Sequence, residues 1–193
     1  LVSINPGAPN GGSATQYFVG DFDGKTFTTS QKEIKWVDYG TDNYAGVTYN
    51  NTPNGERIFL GWMSNWNYAR DTPTTNWRSA MTLPRTLSVS TIKGDYVLQS
   101  KPIPQLEKQL TTDYKKEVIT LHKGGEKSFA YPNFNQSQIQ FKAENKNLKL
   151  VFSNDANDLL VLHYDAQKQT FAIDRRLSGK VNFEKSFGEK ISQ

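Results

Sequence analysis

The stretch W-V-D-Y-G-T-D-N-Y-A-G-V-T-Y-N-N-T-P-N-G-E-R-I-F-L-G-W-M-S-N-W-N-Y-A-R-D-T-P-T-T-N-W-R-S-A-M-T-L-P-R, residues 36–85, holds all four tryptophans of the chain: Trp36, Trp62, Trp66 and Trp77. Tyr39, Tyr44, Tyr49 and Tyr68 lie among them, interleaved with Asp38, Asp42, Asn43, Asn65, Asn67 and Asn76. Such a mixture suits a purely apolar core badly. It suits a sugar well, because a pyranose or furanose ring lays its C–H faces on aromatic rings while carboxylates and amides hold its hydroxyl rim by directional hydrogen bonds. Taken singly, each ring reads as core, since aromatics are favoured in strands and mostly buried. The cluster is what points to a site.

Working outward, residues 45–49 and 57–63 read as the arms of a hairpin around the turn-rich N-N-T-P-N-G at 50–55. Residues 16–22 alternate ring and small or polar side chains and run into Asp23-Gly24, a strong hairpin signal, with residues 26–29 as the return arm. A third hairpin is expected from residues 86–91 and 96–100 around Lys93-Gly94-Asp95. Residues 5–13, N-P-G-A-P-N-G-G-S, are loop chemistry. Apolar residues do not recur at helical spacing over a dozen positions in this half, so it is all-β, and successive hairpins make propeller blades or a barrel.

The two prolines of Lys101-Pro102-Ile103-Pro104 remove ladder donors, which excludes a central strand. With residues 105–110 they read as a linker carrying one helical turn, with a boundary near residue 112. Beyond it, residues 118–121, 139–143 and 148–152 alternate apolar and polar as half-buried antiparallel strands do, and residues 159–164 pair with 170–174 across D-A-Q-K-Q. This is sandwich patterning.

The formal charge of +4 on 193 residues is dispersed: Lys115, Lys116, Lys123 and Lys127 alternate with Glu117 and Glu126. Nucleic-acid binding needs a concentrated basic stripe, and a solvated sheet face explains the pattern better. Without cysteine there is no thiolate nucleophile and no Cys-based metal site. The two histidines, His122 and His163, lack carboxylate neighbours at metal-ligand spacing, so no metal or cofactor is expected. No apolar run is long enough to span a bilayer.

Three ordered blocks, W-V-D-Y-G-x-D-x-Y-A, G-W-M-S-N-W-x-Y and P-T-x-x-W-R-x-x-M-x-L-P-R, resemble the region that follows the acid/base motif in glycoside hydrolase family 32, the invertases, inulinases and levanases. Q-Y-F-V-G-D-F-D-G-K-T-F at 16–27, Q-S-K-P-I-P-Q-L-E at 99–107 and Y-D-A-Q-K-Q-T-F-A-I-D-R-R-L-S-G at 164–179 extend the likeness over nearly the whole chain. The resemblance implies the final blades of a five-bladed β-propeller followed by an incomplete C-terminal β-sandwich. The expected division is 1–100 as the last part of the propeller, 101–112 as linker and 113–193 as partial sandwich. It also implies that the chain is a piece of a longer polypeptide, partnered by the missing N-terminal blades.

Retaining glycosidic cleavage needs two carboxyl groups close together, one attacking the anomeric carbon and one protonating the leaving oxygen. The family's N-D-P-N-G, E-C and R-D-P motifs are not in this sequence; Arg70-Asp71-Thr72-Pro73 comes too late in the order and reads as a surface loop pair. No catalytic residue is therefore assigned. By resemblance Trp77 borders a fructosyl subsite, Asp38 faces the next sugar, Tyr44 reaches the site from the same blade, and Trp66 and Asn65 contribute to its rim. Asp38 reads equally as a strand-end residue capping the Tyr39-Gly40 turn. Trp36 and Trp62 read as blade core, and Asp174-Arg175 as a salt-bridged strand end packing two domains together. The implied function is a retaining β-fructofuranosidase acting on sucrose or on fructans such as inulin and levan, in an extracellular or periplasmic setting. The alternative is a non-catalytic carbohydrate-binding or structural β module.

Overall fold

In a computed structural model that describes residues 1–110, 116–131, 134–144, 146–189 and 191–192, turn chemistry decides where the strands stop. The chain opens with β1 (Val2–Ile4), β2 (Ala14–Tyr17), β3 (Asp21–Phe22), β4 (Phe27–Thr28) and β5 (Lys35–Trp36). β1, β2 and β5 form one antiparallel sheet, and β3 and β4 a separate short hairpin. The hairpin turns where expected: Asp23 Oδ1 accepts from the amides of Lys25 at 2.8 Å and Thr26 at 2.7 Å, and Gly24 takes φ +96°. The single strand expected over 16–22 is interrupted, because the Gln31 side chain takes the ladder's place. Its Nε2 donates to the Tyr17 carbonyl and its Oε1 accepts from the Val19 amide.

The central sheet is a meander of β6 (Tyr44–Thr48), β7 (Arg57–Trp62), β8 (Arg85–Ile92) and β9 (Asp95–Pro102), each strand antiparallel to the next in sequence order. This is the pattern of a propeller blade. Both hairpins expected here are present. Lys93 and Gly94 both take positive φ, +53° and +83°, as a two-residue turn of the right twist requires, and β8 and β9 stay in register from Ile92↔Asp95 to Arg85↔Pro102. Pro102 ends an edge strand, where its missing amide costs no ladder bond. Among the described residues Phe59 is the largest fully buried side chain.

Pro104–Gln109 forms a 3-10 helix, the helical turn expected of the linker. The boundary near residue 112 and Lys115 lie outside the described residues. Strands expected over 118–121 and 139–143 are not present: between residues 116 and 144 the only described helix or strand is the 3-10 turn Phe134–Gln136. Val118, at the start of the first of these segments, is 92% exposed. Alternation marks a sequence able to lie half-buried, and it becomes a strand only where a ladder partner meets it. The described residues from Pro104 to Glu144 form a unit of their own.

The C-terminal sheet comprises β10 (Leu148–Ser153), β11 (Leu159–Asp165), β12 (Thr170–Leu177) and, after the short helix α1 (Lys185–Gly188), β13 (Ile191–Ser192). The expected pairing of β11 with β12 is present, and Asp165 closes the turn by accepting from the amides of Gln167 and Lys168. β12 runs to Leu177, which carries Arg175 past the length expected for that strand. This sheet and residues 1–103 cluster as one compact unit. The fold is all-β, as the sequence predicts.

Candidate functional site

A β-bulge organises the site. In the β6–β7 ladder Tyr44 pairs with Trp62 and Val47 with Leu60, so Ala45 and Gly46 together face Gly61. Ala45 takes a left-handed φ of +50°. A Cβ on Gly46 would overlap the Phe59 ring, and one on Gly61 would overlap Asn43 Oδ1, so the bulge needs glycine on both strands.

The bulge aims Tyr44 at Trp62, with ring centroids 6.3 Å apart and planes at 63°. Trp62 in turn meets Trp66 at 5.2 Å and 58°, and the Arg70 guanidinium lies 6.0 Å from the Trp66 ring. Trp62 is held from behind: its Nε1 donates to Ser79 Oγ at 2.6 Å, and Ser79 occupies left-handed backbone at φ +62°. Residues 80–82 follow the end of β7 through Met63 N to Ala80 O and Thr82 N to Gly61 O, both 2.8 Å. Three rings thus form a continuous strip, with Trp66 at its outer end 54% exposed.

Polar groups make the floor. Asn65 is fully buried; its Nδ2 donates to Asp42 Oδ1 at 2.8 Å and to the Thr41 carbonyl at 3.0 Å, while its Oδ1 accepts from the Asn67 amide. The Tyr68 hydroxyl donates to the same Asp42 oxygen, and Thr41 Oγ1 and Arg175 Nη1 donate to the other at 2.9 and 3.2 Å. Burial, reinforced by the Asp42 carboxylate, pushes the Tyr68 hydroxyl up to about 12, so it stays a proton donor. A second cluster surrounds Asp38: its Oδ2 accepts from Asn43 Nδ2 at 2.5 Å and Arg85 Nη2 at 3.2 Å, and its Oδ1 from the Gly40 amide.

Tyr44 and Trp66 are therefore brought together through Trp62. Asp38 caps the Tyr39-Gly40 turn and is also ion-paired, with its side chain a quarter exposed. Trp77 projects from the loop before β8, 64% exposed, its carbonyl bonded by Thr74 Oγ1 and its neighbour Arg78 tied to the Thr72 carbonyl. Among the described residues it makes no ring contact with the strip. Two positions differ in burial from the sequence expectation. Asn65, expected at the rim, has no exposed surface, because a carboxamide offering donors and an acceptor satisfies a buried turn that no ring could. Trp62 is half-buried at the centre of the strip and not blade core, because it ends β7 beside the bulge.

Asp42, Tyr68 and Arg175 are visible in the sequence but not their joint role, and Ser79 is not singled out there. Asp42 sits in a block singled out there, but nothing local reveals a partner 133 residues away. The ion pair expected at Asp174-Arg175 is divided: Asp174 pairs with Arg176 at 2.8 Å, and Arg175 crosses to Asp42. Among the described residues no group of three His, Asp or Glu could hold a metal ion, and no helix is long and apolar enough to cross a membrane.

Residues 1–102 match the model of the glycosyl hydrolases family 32 N-terminal domain. The chain is 34% identical over 199 residues to an extracellular exo-inulinase of Aspergillus awamori, covering 95% of this chain and 37% of that protein. It is 33% identical over 195 residues to a levanase of Bacillus subtilis, covering 96% of this chain and 29% of that protein. The fold is similar to the crystal structure of the Aspergillus awamori exo-inulinase, with TM-score 0.72 and 29% identity, over 98% of this chain and 40% of that one. It is also similar to a fructofuranosidase from Schwanniomyces occidentalis complexed with fructosylnystose, with TM-score 0.67 and 26% identity, over 90% of this chain and 37% of that one. The chain thus spans well under half the length of the relatives it matches.

Proposed function

The chain belongs to glycoside hydrolase family 32, and from that premise we propose that it supplies a binding wall for the fructosyl units of sucrose, inulin or levan in a retaining β-fructofuranosidase. The observation that carries this reading is the strip Tyr44–Trp62–Trp66, in which Tyr44 and Trp66 each directly follow a buried asparagine, Asn43 and Asn65. Rings at the surface are held in fixed planes without their faces being spent on core packing, as a sugar's C–H face requires. Trp77 borders the terminal fructosyl unit from the neighbouring loop. Asp38, ion-paired with Arg85, turns a carboxylate edge to the hydroxyls of the next sugar.

Retention requires two carboxyl groups about 5–5.5 Å apart across the scissile bond. The family's motifs for those groups do not occur in this sequence. We therefore assign this chain to substrate binding, with the reacting carboxylates contributed by preceding blades of the same polypeptide. The division into blades over 1–100, a linker over 101–112 and a sandwich from 113 belongs to the same proposal. So does an extracellular setting, in keeping with fructan substrates that are met outside the cytoplasm.

The test joins a titration and an assay. Inulin-type oligosaccharides titrated into the 193-residue chain bind, while sucrose hydrolysis by the chain stays undetectable. In an enzyme carrying this chain together with the carboxylate motifs, Trp77→Ala lowers kcat/KM by about 1–3 kcal/mol of transition-state stabilisation. Unchanged hydrolysis of every fructan by that variant removes Trp77 from the site.

A further inference from the structure

We infer that Arg175, on strand β12 of the C-terminal sheet, is a positioning residue for the ring strip: through Asp42 it fixes the turn that carries Trp66, and so gives the C-terminal sheet a part in how many sugar units the face holds. This rests on the carbohydrate reading above. The geometry is specific. Asn65 and Tyr68 flank Trp66 in sequence, and both donate to the same oxygen of Asp42. The other oxygen takes Arg175 Nη1 at 3.2 Å, while Arg175 Nη2 donates to the Tyr68 hydroxyl at 3.1 Å. One guanidinium therefore holds the anchoring carboxylate and one of the two groups anchored to it.

Arg175 is itself confined. Its guanidinium carbon lies 3.8 Å from the Phe187 ring centroid and 5.6 Å from that of Tyr68, and Tyr68 stands edge-on to Phe183 at 6.2 Å and to Phe187 at 5.2 Å. Between the anchors the backbone is tightly turned, with Ala69 N donating to Asn65 O at 3.0 Å and Asp71 N to Tyr68 O at 2.9 Å. Trp66 projects outward from this turn, and among the described residues its ring contacts are Trp62 and Arg70. Its tilt is thus inherited from the backbone at 65–68, which the Asp42–Arg175 pair sets. A lysine at 175 keeps the charge but lacks the planar fork that reaches both Asp42 and the Tyr68 hydroxyl.

A staple that merely joins two sheets would affect stability and nothing else, so the experiment separates the two roles. The 193-residue chain and its Arg175→Met, Arg175→Lys, Trp66→Ala and Arg175→Met/Trp66→Ala variants are titrated by calorimetry with sucrose and with inulin-type tri-, tetra- and pentasaccharides. Amide hydrogen exchange is followed in parallel. Arg175→Met is expected to weaken the pentasaccharide about fivefold, Arg175→Lys to recover only part of this, and sucrose to change less than about twofold. With Trp66 already removed, Arg175→Met adds nothing to the loss. Exchange quickens at amides 65–71 and stays unchanged in β8 and β9. Equal weakening for all four saccharides, a full Arg175 effect without Trp66, or unchanged exchange at 65–71 overturns the inference. If the parent chain binds no saccharide at all, the carbohydrate reading fails, and the exchange measurement alone decides whether Arg175 holds the turn.

Discussion

The floor and the rim of the ring strip are built by different physics, and residues 65 and 66 show it in adjacent positions. Asn65 has no exposed surface and spends its carboxamide on three partners, whereas Trp66 is 54% exposed and rests on one ring and one guanidinium. Buried polar groups must be satisfied almost completely, because an orphaned donor or acceptor costs its full desolvation. A surface ring has no such obligation. The floor therefore specifies a single backbone path, and the rim is left free to meet a ligand. Stability and binding should accordingly be separable by substitution, residue by residue.

The sharpest way to break that separation is Asn65→Ala. The change leaves Asp42 Oδ1, the Thr41 carbonyl and the Asn67 amide each with one partner fewer around a side chain that has no exposed surface, and opens a small void as well. We expect a loss of about 2–4 kcal/mol in urea-induced unfolding. A loss below about 0.5 kcal/mol would mean that water replaces the carboxamide and that the floor is not dry.

Tyr68→Phe is expected to have a smaller effect, near 1 kcal/mol at neutral pH, since one hydroxyl leaves and the ring keeps its packing on Phe183 and Phe187. Its signature is in the pH dependence. Folding raises the hydroxyl from its ordinary value of 10.0 to about 12, first by burial and then by the Asp42 carboxylate. Between these values the unfolded chain has lost the proton and the native chain has kept it, so stability falls as pH rises through the window. The contribution is complete below pH 10 and gone once the folded hydroxyl has ionised. The difference in stability between the parent chain and Tyr68→Phe should shrink from pH 10 to 12, and a constant difference would place the hydroxyl in contact with solvent.

The same contrast explains what the sequence disclosed. Hairpins closed by Asp23-Gly24 and Lys93-Gly94 were legible because turn chemistry is local, and so was the identity of the ring-bearing blocks. The bulge at Ala45-Gly46 was not legible, since its cause is the close approach of Phe59 and Asn43 to two glycines on different strands. Arg175 is legible as part of a salt-bridged strand end that packs two parts of the chain together, but its partner Asp42 is not, because that pairing depends on how two sheets dock. Residues 118–121 and 139–143 mark the opposite failure. Their alternation was read as strands, yet no ladder forms among the described residues there, because alternation states what a segment can pair with and not that the pairing occurs.

Trp66→Ala carries the smallest expected effect on stability and bears most directly on the comparison. The residue beside it is fully buried, so a reading from sequence proximity alone would give the two substitutions similar costs. The indole instead meets one tilted ring at 5.2 Å and one guanidinium at 6.0 Å, and more than half of its surface faces water. An aromatic pair of this kind contributes about 0.5–1.5 kcal/mol, and exposure places this one at the lower end. Unfolding of Trp66→Ala in urea should therefore shift by less than about 1 kcal/mol, with its slope little changed because only a small part of the buried surface is lost. A loss equal to that of Asn65→Ala would show that the ring is part of the fold's interior. In that case its face is not free for a sugar, and the strip would end at Trp62.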